Sequence, residues 1–175
     1  MRQTISQQLQ ECTTCQEIKT PSQQVGHLTP ISVSEPFELV GWDLMDPFPT
    51  SMAGNRYILV MKEYLTRWCE VQAIPDCTAS TVAAALLHNI IFRHSCPQHI
   101  LSDQGVQFKG EVLRVLTQSL GIKQRFSSPY HPQTNGLTER LNRTLKQSLS
   151  AYIDPLHQNW DEMLPYATHA YNTSV

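Results

Sequence analysis

Charge of either sign is scarce in this chain of 175 residues. Thirteen Lys and Arg face 15 Asp and Glu, 16% of the chain in all, for a net charge of −2 and a pI near 6.4. The bulk positive charge that marks many nucleic-acid binders is therefore missing. A local basic face beside an acidic site remains open, with DNA affinity of this piece expected to be modest and salt-sensitive. No apolar run approaches the roughly 18 residues that span a bilayer. The opening MRQTISQQLQE has no apolar stretch of the kind a secretory signal needs. Five cysteines, Cys12, Cys15, Cys69, Cys77 and Cys96, form an odd set with no disulfide-framework spacing, which suits a reducing compartment. The expectation is an intracellular protein with no membrane partner, and the Asn-x-Ser/Thr matches at Asn142 and Asn172 are then chance, since glycosylation needs secretion. There is no internal repeat.

What is there reads as one domain's worth of chain, with 41% hydrophobic residues and length enough for a core. Residues 21–37 are rich in Pro, Ser and Gln and read as a linker; His27 within them reads as solvated. From Glu38 the pattern becomes β. A first strand covers about 38–44 and stops at Asp46-Pro47, where proline ends pairing. After a turn at 52–55 come strands at 57–61 and 67–74, the last alternating Cys69, Val71 and Ala73 with Trp68, Glu70 and Gln72. A helix capped near Thr78–Ser80 runs to about Arg93, with Val82, Leu86 and Ile90 as its stripe. A short strand, His99–Ser102, ends at Asp103. A helix at 111–120 closes at Gly121, and a fifth strand follows at 122–126. Breakers fill 127–136. A helix then starts near Leu137 and runs toward Ile153, and a last one covers 161–171. Three strands and then strand–helix alternation make an α/β reading with a mixed sheet. Trp42, Trp68 and Trp160 read as packing residues.

Three short pieces carry the chemistry. Glu38–Leu44 is an extended segment with Asp43 inside it, and an acid in an apolar strand is costly unless it is paired or holds a metal. In ILSDQGVQF, residues 100–108, a short apolar run ends at Asp103, and Gly105 permits a tight turn. In SSPYHPQTNGLTERLNRTLK, residues 127–146, an irregular loop leads into a helix with Leu137, Leu141, Leu145 and Leu149 on one stripe. At about 100° per residue from Leu137, Asn142 stands near 140°, Lys146 near 180°, Glu139 near 200° and Arg143 near 240°. One face packs, and the opposite face carries a carboxylate, two cations and an amide. By itself this is an ordinary amphipathic helix with a Glu–Arg pair at i, i+4. The spacing changes its weight: 35 residues lie between Asp103 and Glu139.

With Asp43 upstream, that pattern resembles the catalytic core of retroviral and retrotransposon integrases: Asp, Asp, 35 residues, Glu. The phrases SDQGVQF, SSPYHPQTNGLTERLNRTLK and LPYATHAYNTSV are similar to integrases of Gypsy-type LTR retrotransposons, and the resemblance runs from about residue 10 to the end. It implies a ribonuclease-H-like fold, a five-stranded mixed sheet flanked by helices, with the catalytic core over 38–175, stopping inside the family's last core helix. It implies Asp43, Asp103 and Glu139 as the catalytic and metal-binding trio. Hard carboxylate oxygens suit Mg²⁺ or Mn²⁺, and a two-ion site supports in-line phosphoryl displacement. The reactions implied are 3′-end processing and strand transfer of retroelement DNA into target DNA, in the nucleus, by dimers or larger homo-oligomers on DNA ends.

Departures from the family matter as much. Asp46 stands where the family usually has Gly, in a turn before Pro47, so Asp43 takes the catalytic place. Glu63 stands where relatives often carry Asp, with no catalytic step depending on it. Among the DNA contacts implied, Gln133 and Asn135 belong to the family's active-site loop, with Gly136 as its hinge. Arg143 and Lys146 either grip phosphates or balance the charge of Glu139. His131 reads as a structural or DNA contact rather than a proton relay. In the family a Cys pair near residues 12–15 completes a zinc site whose two histidines lie upstream, but the first His here is His27. Two thiolates do not close a four-ligand site, so Cys12 and Cys15 are a remnant zinc module over 1–20, and zinc is not expected. A redox C-x-x-C fits less well, since no βαβ pattern surrounds it. Two other readings stand beside the enzyme: a host-retained, catalytically silent DNA- or protein-binding scaffold, which the intact trio disfavours, and a ribonuclease-H-type nuclease, which the HPQTNG loop disfavours.

Overall fold

The computed structural model describes residues 31–45, 47–127, 136–151, 153–154 and 158–174, with only the backbone described for Leu137 and Glu139. Cys12, Cys15, Asp46, His131, Gln133 and Asn135 lie outside the described residues. Strands β1 (Leu39–Met45), β2 (Tyr57–Glu63) and β3 (Cys69–Ile74) precede helix α1 (Ala79–Leu86), which continues as a π-helical turn, Leu87–Ile91. Then follow β4 (His99–Ser102), α2 (Glu111–Ser119), β5 (Lys123–Phe126), α3 (Gly136–Ser150) and α4 (Trp160–Thr173). The strands form one sheet in the order β3-β2-β1-β4-β5. β1, β2 and β3 pair antiparallel, while β4 lies parallel to both β1 and β5. The reason is connection length. Short links turn a strand straight back on its neighbour, whereas a helix-sized crossover returns the chain parallel. The expected five-stranded mixed α/β sheet is therefore present.

Strand alternation divides the core in two. On one face Val40, Trp42, Leu59 and Met61 pack against Val82, Leu86 and Ile90 and against Leu113 of α2. Trp42 meets Phe108 edge-on, with ring centroids 5.8 Å apart. On the other face Met45, Ile58 and Val60 pack against Leu141, Leu145 and Leu149 of α3 and against Trp160, Leu164 and Ala167 of α4. Leu141, Leu145 and Leu149 thus do what the spacing of the leucine stripe implies. Trp160 also donates its indole N–H to Pro49 O at 2.7 Å, tying α4 to the chain leaving β1.

Several boundaries depart from expectation. β3 starts at Cys69 rather than Arg67, because Arg67 takes a left-handed backbone, φ 69°, inside a turn organised by Glu63. The Glu63 carboxylate is only 2% exposed. It accepts the N–H groups of Phe37, Leu65 and Thr66 and the Thr66 hydroxyl. An acid one methylene longer than the Asp that the resemblance leads one to expect here is accommodated as a structural anchor. Trp68, just outside the strand, is 42% exposed and gives its indole N–H to Glu70 at 3.0 Å instead of packing in the core. The α1 ladder widens before it ends, with Phe92 N–H reaching Leu87 O at 2.9 Å; nothing in the side-chain pattern announces that. α3 stops at Ser150, not Ile153, where Ala151 N–H bonds back to Ser148 O.

Candidate active site

Register alone brings two carboxylates together. Gly41 of β1 is paired with Leu101 of the parallel strand β4. Asp43 lies two residues beyond Gly41, and Asp103 lies two residues beyond Leu101. Two residues restore the same face of a strand, and neighbouring strands run about 4.8 Å apart. Extending that register sets Asp43, inside β1, level with Asp103, which directly follows β4, on the face that α3 covers. Asp43 is half-buried and Asp103 exposed.

Each acid is held by a donor of its own. Asp103 Oδ1 accepts the Gly105 N–H at 2.9 Å, the tight turn that the sequence SDQG favours. Asp43 Oδ2 accepts the side-chain amide of Asn142 at 2.6 Å, and its Oδ1 accepts the N–H of Leu44 at 3.0 Å. Asn142 sits on α3 one turn after Glu139, and residues three apart share a helix face. The turn that carries Glu139 is thus tied directly to the strand that carries Asp43. The sequence places Asn142 on the polar face without giving it a role; its i+3 spacing from Glu139 was the available signal. The side chain of Glu139 lies outside the described residues, and no group of three metal-ligating side chains occurs among the described ones.

The first turn of α3 sits close to β1 because Gly41 has no side chain. A Cβ there would stand 2.7 Å from Tyr64 Cε2 and 3.1 Å from Thr138 Oγ1. Tyr64 and Thr138 are buried, at 3% and 0% exposed. Burial pushes the Tyr64 phenol up to about 12, against smaller lowering influences from the Thr138 hydroxyl and the Arg67 charge. Tyr64 is therefore neutral across the physiological range.

Further along α3, Arg143 and Lys146 are exposed. Lys146 also borders an apolar cavity of about 200 Å³ lined by Phe48, Leu149, Ile153 and Trp160, so its stem contributes to packing. Lys62 and Cys69, which pair across β2 and β3, are occupied by α4. Lys62 Nζ donates to the Tyr171 hydroxyl at 2.5 Å, and Asn172 bonds the Cys69 backbone on both sides. Burial pushes the Cys69 thiol up to about 12, so it is no nucleophile at neutral pH. No helix among the described residues is long and apolar enough to cross a membrane.

Residues 33–132 match the family described as Integrase core domain, and residues 120–174 match a second family of the same description. A stretch of 150 residues is 31% identical to the Retrovirus-related Pol polyprotein from transposon 412 of Drosophila melanogaster, covering 83% of this chain and 12% of that protein. Gypsy retrotransposon integrase-like protein 1 of Homo sapiens is 33% identical over 175 residues, 97% of this chain and 32% of that protein. The chain thus spans at most about a third of these relatives. Among solved structures, the catalytic core domain of BIV integrase superposes with a TM-score of 0.63 at 30% identity, over 79% of this chain and 85% of that one. A chain of the simian T-cell lymphotropic virus intasome, solved in complex with PP2A regulatory subunit B56 gamma, gives 0.74 at 23% identity, over 93% of this chain and 57% of that one. The HTLV-2 integrase catalytic core, solved as a trimeric form with magnesium, gives 0.62 at 20% identity, over 77% and 84% of the two chains.

Proposed function

The chain belongs to the integrase core domain family, with its ribonuclease-H-like fold, and from that premise we propose that it is a metal-dependent polynucleotidyl transferase acting in DNA integration. The reactions proposed are 3′-end processing and strand transfer of retroelement DNA, with Asp43, Asp103 and Glu139 as the metal-binding catalytic trio. The observation that carries this reading is the parallel register of Gly41 with Leu101, two residues before Asp43 and Asp103 respectively, beside the helix whose Asn142 is bonded to Asp43.

The residues present suit hard divalent cations. Carboxylate oxygens are the donors that Mg²⁺ and Mn²⁺ prefer, and two acids starting from adjacent strands repel each other unless a cation neutralises them. When bound, such ions supply activation of an attacking hydroxyl oxygen and stabilisation of the leaving oxygen. The rest falls to the chain. Asn142 fixes the Asp43 carboxylate from one side, and the Gly105 amide fixes Asp103 from another. Both acids thus keep their orientation before substrate arrives, which limits reorganisation at the moment of reaction. Arg143 and Lys146, exposed beyond Glu139 on α3, offer cations to DNA phosphates and would position the backbone without reading sequence. Gln133 and Asn135 are proposed as further DNA contacts from the residues that precede α3 in sequence. No protein nucleophile is required, in keeping with the inert, buried thiol of Cys69. Assembly of two or more copies on DNA ends, and action in the nucleus, belong to the same proposal.

The direct test is joining of a 3′-hydroxyl DNA strand into a second duplex, or resolution of a branched DNA, with Mn²⁺ or Mg²⁺. Metal-dependent joining is expected from the wild-type chain, with losses of roughly a thousandfold in Asp103→Asn and in Glu139→Gln, the scale of an interaction worth several kcal/mol in the transition state. Joining that survives chelation or either substitution would overturn the assignment. A folded chain that binds DNA and joins nothing would favour the scaffold.

A further inference from the structure

The slot over Gly41 adjoins all three members of the proposed trio. Gly41 stands two residues before Asp43, and its register partner Leu101 stands two before Asp103. Thr138, whose hydroxyl borders the same slot at 3.1 Å from the missing Cβ, immediately precedes Glu139. What fills the slot is Tyr64. Its ring edge comes within 2.7 Å of that Cβ position and its hydroxyl within 3.4 Å. Tyr64 is itself fixed from below. Its N–H donates to Leu39 O at 3.0 Å, and its ring is buried with Leu39 and Leu101 in a small cluster separate from the two main cores. An aromatic ring wedged between a side-chain-free strand position and the first turn of a helix acts as a spacer, because packed interiors transmit displacement rather than absorb it.

We infer that Tyr64 is a positioning residue: its ring, seated over Gly41, sets how closely the first turn of α3, and Glu139 with it, approaches β1 and β4. This rests on the reading of Asp43, Asp103 and Glu139 as the metal-binding trio. The inference gives Gly41 a specific reason, since any side chain there would compete with the ring for the slot. It also makes a buried, neutral phenol outside the reacting groups a determinant of metal affinity. Groups supporting a ligand from behind commonly change metal affinity by about 10- to 100-fold.

The test combines Tyr64→Ala, Tyr64→Phe and Gly41→Ala with two readouts. The first is amide hydrogen exchange across residues 138–142 in metal-free protein, with residues 147–150 of the same helix as internal control. The second is joining as a function of Mn²⁺. Tyr64→Ala is expected to speed exchange in the first turn about tenfold with the control unchanged, a local opening rather than a global one. It should also raise the half-saturating Mn²⁺ concentration about tenfold and lower kcat, with KM for DNA unchanged. Tyr64→Phe keeps the ring and should lie within about twofold of wild type in both. Gly41→Ala, which forces a methyl against the ring, should show the Tyr64→Ala signature, and it decides the question if Tyr64→Ala does not fold. Wild-type exchange at 138–142 in either disruptive variant overturns the inference, as does faster exchange with an unchanged Mn²⁺ response. Absence of metal-dependent joining in the wild type would count against the proposed function instead, while the exchange result still decides whether Tyr64 seats the turn.

Discussion

The two faces of the sheet are built to different rules. Against α1 and α2 the strands present Val40, Trp42, Leu59 and Met61, with Phe108 laid edge-on to Trp42, and beside them the buried acids Glu63 and Glu70. Against α3 and α4 the same strands present Leu39, Gly41, Asp43 and Met45 from β1, and Ile58, Val60 and Lys62 from β2. There the apolar set is broken by a missing side chain, a carboxylate and a buried cation. The first face is explained by burial together with acids that each have partners, Glu63 with the Leu65 and Thr66 amides and Glu70 with Arg93 and His94. The second is apolar only where α3 and α4 need a footing, and it gives up packing at the end of β1 where Asn142 meets Asp43.

That division should show in mutants. Trp42→Ala removes the largest side chain of the first face and should cost about 4 kcal/mol of folding free energy, read from urea unfolding. Wherever the variant remains folded, its Mn²⁺ response should be that of the wild type; a large change in that response would break the separation between faces. Glu63→Ala, which strands the donors of Phe37, Leu65 and Thr66 around an emptied site, should cost about 3 kcal/mol. It tests whether this acid is structural, and a loss of joining without loss of stability would contradict that. Asn142→Ala sharpens the other side of the comparison. Joining should fall about tenfold, about 1.4 kcal/mol, through a higher Mn²⁺ requirement, with the urea midpoint close to wild type.

Much of this was legible in the residues, for identifiable reasons. The Leu137, Leu141, Leu145, Leu149 stripe, the Val82, Leu86, Ile90 stripe and the breakers at the turns are local signals, and the helices they specify are present. Parallel pairing of β1 with β4 joins residues some 60 apart in sequence, as Leu39 with His99, and no local pattern encodes it. The resemblance to integrases supplied that topology, and the register then accounts for why Asp43 and Asp103 are neighbours. Glu63 and Trp68 show the limit in the other direction. Trp68 sits in a β pattern that reads as strand, while Glu63 falls beyond the strand read at 57–61 yet ends β2; a positive-φ residue at Arg67 and four donors converging on the Glu63 carboxylate turn the segment between them into a tight corner. Tyr64 and Asn142 escaped notice because their roles depend on what a glycine and a carboxylate on a different strand leave room for.

The most direct test of the account is Asp43→Asn, followed in one preparation by metal-dependent joining and by thermal unfolding without metal. The account predicts a rate lower by roughly a thousandfold. It also predicts an unfolding midpoint equal to or above that of the wild type, because an amide relieves the repulsion with Asp103. Joining that persists, or a fold that collapses when this one charge is removed, would contradict it.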